Sequence, residues 1–147
     1  MPSKASHLCV IKENTAAIDW LRQATPPMPQ WVVTVAFYKA LHIVEAVFIA
    51  DKKSPIKHAD DHSQRNDVLK RHNRYQHLWK HYRPLWNDSL IARYLQGNKE
   101  VDTYCGFADY MSLSEVEKKH LDHHLVQIVH TARTLLDDQT FLQDEYP

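Results

Sequence analysis

Residues 30–51 read QWVVTVAFYKALHIVEAVFIAD and form the most apolar stretch of the chain. Hydrophobic side chains cover most of the circumference of a helix drawn from them, which is typical of a helix at the centre of a bundle. The polar exceptions Thr34, Tyr38, His42 and Glu45 are spaced by four, four and three residues, so they share one side of that helix. Because buried polar groups need hydrogen-bond partners, this row is expected to face polar side chains from other helices.

Helical periodicity predicts further helices before and after this central segment. We expect a loose arm over residues 1–11 and a first helix over residues 13–24, where alanines, Trp20 and Leu21 recur at helical spacing. After a loop, Asp60 is expected to cap a polar helix of roughly twenty residues that ends near residue 83, just before a proline.

The C-terminal half of the chain carries clear signals for the ends of helices. A short helix is expected over residues 86–96, with Asp88 as its N-cap and Gly97 as its stop. Ser112 and Glu115 have the spacing of a capping box, which predicts a helix from there to about residue 138 and a frayed tail over residues 139–147. The sequence therefore predicts an all-α, up-and-down bundle of about five helices.

Composition limits the classes of protein to consider. The length of 147 residues fits one domain over residues 1–147, and two glycines are too few for a sheet with many turns. Eighteen basic and eighteen acidic residues exclude a strongly basic coat, so any contact with RNA has to be local. Two distant cysteines, no leader and no uninterrupted apolar run of ~20 residues predict a cytoplasmic protein with no membrane partner.

One segment of this neutral chain is locally basic. Residues 57–83 contain seven Lys or Arg and three Asp, and aromatic side chains are interleaved with the charges. Single-stranded RNA binders combine charge and stacking surface in this way, although a solvated basic face has the same composition. The candidate RNA contacts in this segment are Lys70, Arg71, Arg74, Tyr75 and Lys80.

An arginine and a histidine in the same segment have the right chemistry for RNA cleavage. Arg65 and His72 are two helical turns apart, so their side chains are expected on one side of the predicted helix. An arginine stabilises the charge of a pentavalent phosphate and a histidine transfers protons at neutral pH, which suffices for attack by the ribose 2′-OH without a metal. The pair is also common by chance in a chain with eleven histidines.

Three runs of sequence resemble a known family. AFYKALHIVEA at residues 36–46, SPIKHADDHSQRNDVL at residues 54–69 and YRPLWNDSLIARY at residues 82–94 are similar, in this order, to small prokaryotic HEPN proteins. The resemblance covers about residues 30–96. It implies an all-α homodimer of the kind found in toxin–antitoxin and defence systems. RNA, a cognate antitoxin and a nucleotidyltransferase-type protein are the partners that it implies, and no cofactor is expected.

Many HEPN proteins are ribonucleases with an R-x4-6-H motif. By that resemblance Arg65 and His72 are the candidate catalytic residues, Asn66 supports them and His62 shares their site. Arg71 and His77 satisfy the same spacing. Other members of the family only bind their partners, so a non-catalytic module for RNA, a nucleotide or a protein is the alternative.

The polar row of the central helix has two interpretations. Tyr38, His42 and Glu45, with Arg93 and Tyr94 from the third run, either form a buried hydrogen-bond network or orient the catalytic residues.

A metal site is the third hypothesis. His42 and Glu45 are spaced like paired ligands in helical bundles. Further ligands are then expected from His62, His120 or His124, while His123 is expected to point outward.

Overall fold

The computed structural model describes residues 1–95 and 105–147, and this part of the chain contains helices and no strand. The last three helical segments, at residues 113–116, 117–124 and 125–136, follow one another without a break and form one continuous rod, which we call the C-terminal rod. The predicted all-α bundle is confirmed. The elements in chain order are α1 (Lys4–Arg22), α2 (Pro29–Ala50), α3 (His62–Arg71), a 3-10 turn (Asn73–Tyr75), α4 (Gln76–Tyr94), α5 (Phe107–Tyr110), α6 (Leu113–Val116), the π-helical segment (Glu117–His124) and α7 (Leu125–Leu136).

Long-range contacts show how the first three long helices run. His7, near the start of α1, is hydrogen-bonded to His42, near the end of α2, so these helices are antiparallel. The end of α2 contacts the start of α4 through Asp51 and Tyr75, and Tyr38 in the middle of α2 contacts Arg93 at the end of α4. Helices α2 and α4 are therefore antiparallel as well.

The C-terminal rod completes the up-and-down topology. Asp88, late in α4, is bonded to His120 early in the rod, whereas Arg74, just before α4, donates to the backbone oxygen of Leu135 at the end of α7. The rod therefore runs antiparallel to α4. Helix α7 also packs against α2, so α2 lies at the centre of the bundle.

Helix α2 is the core of the molecule, as its sequence predicts. Its bounds differ by one residue at each end from the predicted 30–51, because Pro29 is accommodated in the first turn. The helix is long and apolar enough to cross a membrane, yet 78% of its most apolar window is buried inside the fold. The central helix of a soluble bundle meets the same criteria.

The predicted loose arm over residues 1–11 is wrong. Helix α1 begins at Lys4, after Ser3 accepts a hydrogen bond from the backbone N–H of Ser6 as the N-cap. His7 and Ile11 are buried at helical spacing, so this first part of α1 packs against the bundle.

The prediction of one polar helix from Asp60 to near residue 83 is also wrong, because the helix is interrupted at His72. Asp61 is the N-cap of α3, and His72 has an extended backbone that ends it. Helix α4 then continues through Pro84, where a separate helix was expected to follow. Asp88 is consequently buried within α4 instead of capping a new helix, and Gly97 lies outside the described residues.

Two predictions for the C-terminal region have opposite outcomes. Ser112 accepts a hydrogen bond from the N–H of Glu115, so the predicted start of the last helix is confirmed. The frayed tail over residues 139–147 is wrong, since Phe141 is buried and Arg133 donates to the backbone oxygens of Phe141 and Tyr146. The tail contains turns that pack on the bundle, which helical periodicity does not reveal.

Candidate functional site

A buried carboxylate on α2 is the centre of the first candidate site. Glu45 is fully buried, and its Oε1 accepts a hydrogen bond of 2.7 Å from Nε of Arg65, which is itself 5% exposed. Its Oε2 accepts from the backbone N–H of Ala59 at 3.2 Å and lies 3.0 Å from Nδ1 of His58. The loop before α3 and the first turn of α3 are thus tied to the central helix by one acidic group.

His62 is the neighbour of Arg65 on the side away from Glu45. Nη1 of Arg65 lies 3.1 Å from Nδ1 of His62, and the imidazole packs against the rings of Trp86 and Phe37. Burial lowers the pKa of His62, and the positive charge of Arg65 lowers it further. The Nδ1 atom of a neutral His62 can accept a hydrogen bond from the guanidinium of Arg65, so the geometry and the charge agree.

Two more histidines extend this group towards α1. Nδ1 of His7 and Nδ1 of His42 are 2.8 Å apart, and the ring of His7 lies 6.1 Å from that of His58. Burial lowers the pKa of both His7 and His42. We call the following six residues the Glu45 cluster: His7, His42, Glu45, His58, His62 and Arg65.

The predicted catalytic residues Arg65 and His72 are not brought together within this chain. Arg65 contacts Glu45 and His62, whereas His72 has left the helix and packs its ring against Tyr75 at 5.5 Å. Among the described residues, no hydrogen bond joins Arg65 to His72. Asn66 is half-buried one residue further along α3. The catalytic roles of these residues stay predictions.

Three members of the row along α2 face polar side chains, as expected, whereas Thr34 donates to a backbone oxygen of α2 itself. Tyr38 accepts a hydrogen bond of 3.3 Å from Arg93, whose guanidinium also lies over the rings of Phe37 and Tyr38. Arg93 is held further by the backbone oxygen and hydroxyl of Ser89. Tyr94 is 58% exposed, so it is not buried with the rest of the row. Arg93 and Tyr38 therefore extend the Glu45 cluster along α2 and α4.

The candidate RNA contacts divide into packed and exposed residues. Tyr75 is fully buried and donates to Asp51, so the expectation that its ring stacks on a base is wrong. Arg74 is bound to the same carboxylate and to the backbone oxygen of Leu135. The exposed members of the predicted set are Lys70, Arg71 and Lys80.

Lys80 belongs to a second candidate site, a groove between α4, α5 and the C-terminal rod. The groove has a volume of about 720 Å³. Basic side chains, aromatic rings and one buried acid line it. The residues with these properties are Trp79, Lys80, Arg83, Asp88, Tyr110 and Lys119.

Asp88 forms the polar floor of this groove. Its Oδ1 accepts from the hydroxyl of Tyr110 at 2.9 Å, and its Oδ2 accepts from Lys119 at 2.8 Å and from Nε2 of His120 at 2.6 Å. Burial acts to raise the pKa of Asp88, but the hydrogen bonds from His120 and Lys119 hold it below its usual range. We call Asp88, Tyr110, Lys119 and His120 the Asp88 network.

The histidines predicted as metal ligands do not form one group with His42 and Glu45. Nε2 of His120 is hydrogen-bonded to Oδ2 of Asp88, and Nδ1 of His124 lies 3.1 Å from Nδ1 of His81. Burial and neighbouring histidines lower the pKa of His124 to about 4. His123 is exposed, as expected. The predicted combination of His42 and Glu45 with histidines of the last helix is therefore wrong.

Sequence reasoning missed several residues of these sites, among them His7, His58 and Asp88. His7 was placed in an arm and His58 in a loop, and Asp88 was assigned to a helix cap. The spacing of His7, Ile11 and Ile18 was a usable signal, because it continues the apolar side of α1 back to Ser3. No local signal exists for His58 and Asp88, since their partners come from distant segments.

Comparison with known proteins does not place the chain in a family. No family model, no curated protein and no solved structure matches it. The resemblance to HEPN proteins therefore stays a prediction from the three sequence runs.

Proposed function

We propose that this protein is a HEPN-like module that binds single-stranded RNA without cleaving it. The groove between α4, α5 and the C-terminal rod supports this proposal. It is large enough for a nucleotide unit, and its basic and aromatic side chains suit a phosphate chain and stacked bases.

The charges around the groove favour a polyanion. Lys80 and Arg83 are exposed at its edge, and the single acid that lines it, Asp88, is already neutralised by Lys119. Two cations thus remain to contact phosphates. Because the whole chain has no net charge, this local excess is what would attract RNA.

Aromatic surface in the groove supplies the second requirement. Trp79 is half-buried beside Lys80, and Tyr110 of α5 also lines the groove. An aromatic ring that stacks on a base contributes roughly 1–3 kcal/mol and accepts any base. The combination predicts binding with little dependence on RNA sequence.

The burial of Arg65 favours binding over cleavage in this proposal. A catalytic arginine must reach the phosphate, yet Arg65 is 5% exposed and its charge is matched by Glu45. Freeing it would leave the Glu45 carboxylate buried beside His58. Arg65 is thus better suited to holding α3 on α2 than to stabilising a reacting phosphate.

A binding titration tests the proposal. We expect a labelled single-stranded RNA of mixed sequence to bind the wild type, as measured by fluorescence anisotropy. Replacing Lys80 and Arg83 together by Gln should weaken binding and reduce the slope of log affinity against log salt by about 1.4, since two phosphate contacts are lost. The pair Lys52→Gln and Lys53→Gln is the control, because it removes the same charge from an exposed loop.

Two outcomes would contradict the proposal. Equal losses in the two double variants would show that only overall charge matters, and RNA left intact but unbound would remove the module altogether. Incubation of the RNA in EDTA completes the test. Cyclic-phosphate ends that disappear in an Arg65→Ala, His72→Ala variant would establish the ribonuclease instead.

The proposed module is a homodimer, as the family resemblance implies, and it acts in the cytoplasm, as the two distant cysteines predict. Trp20 and Trp31 are 81% and 52% exposed near the connection of α1 and α2, and such surface is often covered in an oligomer. Light scattering after gel filtration should give twice the mass of the chain. A Trp20→Glu, Trp31→Glu variant that stays dimeric would place the interface elsewhere.

A further inference from the structure

Three ligand-type side chains converge in the Glu45 cluster from three separate segments. His7 comes from α1, Glu45 from α2 and His58 from the loop before α3, and one ligand atom of each lies within 4.8 Å of the other two. His7 is 3% exposed and Glu45 is fully buried, while the side chain of His58 is 28% exposed. The group is thus enclosed on the side of α1 and α2 and open at the loop.

Two imidazole nitrogens of this group have no hydrogen-bond partner. Nε2 of His7 and Nδ1 of His58 are both buried with no hydrogen bond, although the latter lies 3.0 Å from Oε2 of Glu45. Buried polar atoms in proteins are nearly always paired, and an unpaired one calls for an explanation. Here two such atoms belong to residues of one group that also contains a carboxylate.

The hydrogen bond between His7 and His42 explains which nitrogen of His7 is available. Nδ1 of His7 is engaged with Nδ1 of His42 at 2.8 Å. When Nδ1 of His7 donates that proton, its Nε2 carries the lone pair that a metal ion needs. Metal-binding histidines usually donate their second N–H to a neighbour in this way, which fixes the tautomer and the ring.

Glu45 can serve the group without losing its other contacts. Its Oε1 is used by Arg65 at 2.7 Å, whereas Oε2 faces His58 and the N–H of Ala59. A carboxylate oxygen has two lone pairs, so Oε2 can accept from Ala59 and still bind a cation. Arg65 then orients the carboxylate from behind, as outer partners of ligating carboxylates do.

We propose that Nε2 of His7, Oε2 of Glu45 and Nδ1 of His58 bind one divalent transition-metal ion, with Zn²⁺ as the first choice. Two imidazoles and one carboxylate are a known ligand set for Zn²⁺ and leave a fourth position open. Oxygen-preferring Mg²⁺ and Ca²⁺ do not suit a set with two nitrogens.

Binding requires a small closing movement of the group. Ligand atoms of a tetrahedral zinc ion lie roughly 3.3 Å apart, because each is about 2.0–2.1 Å from the metal. His58 is the residue able to supply this movement, since it is partly exposed on a loop while His7 and Glu45 are fixed in helices. The bound ion would join α1, α2 and the loop before α3.

A second histidine group provides the internal control. His81, His123 and His124 also have ligand atoms within 4.8 Å of one another, but this group has no carboxylate. The Nδ1 atoms of His81 and His124 are already engaged with each other at 3.1 Å. His123→Ala therefore removes an imidazole from a competing group and leaves the proposed site intact.

The test is metal binding by the full chain after removal of metals with a chelator. Titration of Zn²⁺ against a chromophoric chelator is expected to give one site per chain, and Co²⁺ should give the visible absorption of a tetrahedral nitrogen and oxygen site. His58→Ala should abolish this absorption and His123→Ala should preserve it. His42→Ala should weaken binding roughly 10–100-fold, as expected for loss of an outer partner.

Circular dichroism identifies variants that remain folded, and His7→Gln provides a second ligand variant beside His58→Ala. No binding by the wild type, or equal binding by the wild type and both ligand variants, would overturn the proposal. Binding lost in His123→Ala and kept in His58→Ala would assign the ion to the other group. None of these results depends on RNA binding, so this proposal and the proposed function fail independently.

Discussion

The Glu45 cluster and the Asp88 network each stabilise a buried carboxylate, but they do so in different ways. Each places a carboxylate in the core with a histidine and a basic side chain beside it. The partner of Glu45 is a buried arginine, whereas the partner of Asp88 is Lys119, whose side chain is 41% exposed. The charge of Asp88 can therefore be matched from the surface, while that of Glu45 depends on a group which water does not reach.

The two regions also differ in their unpaired atoms. His120 has one buried nitrogen, Nδ1, without a hydrogen bond, whereas His7 and His58 have one each and belong to a group whose ligand atoms lie within 4.8 Å of one another. Convergence, more than burial or the number of histidines, marks a site able to bind a ligand.

The largest effect is expected when the charge of Glu45 is removed. Glu45→Gln leaves the buried guanidinium of Arg65 without its counter-charge, which should lower the free energy of unfolding by about 3–5 kcal/mol. Urea denaturation followed by circular dichroism in EDTA measures this change without a contribution from metal. A Glu45→Gln, Arg65→Gln variant should lose less than the single variant, because no unpaired charge remains.

Asp88→Asn is the matched change in the other region. Lys119 can turn to solvent, so the expected loss is only about 1–3 kcal/mol from imperfect hydrogen bonds. Equal losses for Glu45→Gln and Asp88→Asn would show that the exposure of the cation does not distinguish the two regions.

An acid titration extends the comparison to a third buried carboxylate, Asp51. Burial acts to raise its pKa, but hydrogen bonds from Arg74 and Tyr75 lower it from 3.8 to about 2. Since the pKa is lowered on folding, the stabilisation is complete above pH 3.8 and is lost as the pH falls towards 2. The side chain of Arg74 is 26% exposed and partly screened, so the contribution is roughly 1–2 kcal/mol.

The measurement is the free energy of unfolding of wild type and Asp51→Asn between pH 5 and pH 2. The variant should lack the part of the acid slope that Asp51 contributes, and its curve should approach that of the wild type at the low end. Two parallel curves would contradict the assigned pKa of Asp51.

The smallest effects are expected at two helix caps, one beside each region. Asp61 accepts from the N–H of Gln64 at the start of α3, and Ser112 accepts from the N–H of Glu115 at the start of the C-terminal rod. Both caps are exposed, so Asp61→Ala and Ser112→Ala should each lower the free energy of unfolding by about 1 kcal/mol. Thermal unfolding measures both, with Ser63→Ala as the uncapped control on α3. A much larger loss for Asp61→Ala would mean that the cap also holds Arg65 in place.

The parts of this fold that local sequence decides were predictable. Helix α2 follows from its apolar run, and the start of the rod follows from Ser112 and Glu115. The kind of partner that the polar row needs was predictable, because a buried Glu45 requires a cation or several hydrogen-bond donors.

Distant contacts decide the parts that were not predictable. No glycine or proline marks the break at His72, and the chain turns there because Arg74 and Tyr75 bind Asp51 from α2. Pro84 was expected to end a helix, yet α4 continues through it while packed between α2 and the rod. His58 enters the Glu45 cluster only through the path of a loop, which periodicity does not describe.

Arg74 has a consequence for how the molecule opens. Its guanidinium joins the carboxylate that ends α2 to the backbone oxygen of Leu135, one of the carbonyls left unpaired at the end of α7. Ends of helices normally fray one at a time on a fast timescale. Here the last turns of α2 and α7 share one side chain, so they should exchange their amide protons together as a single cooperative unit.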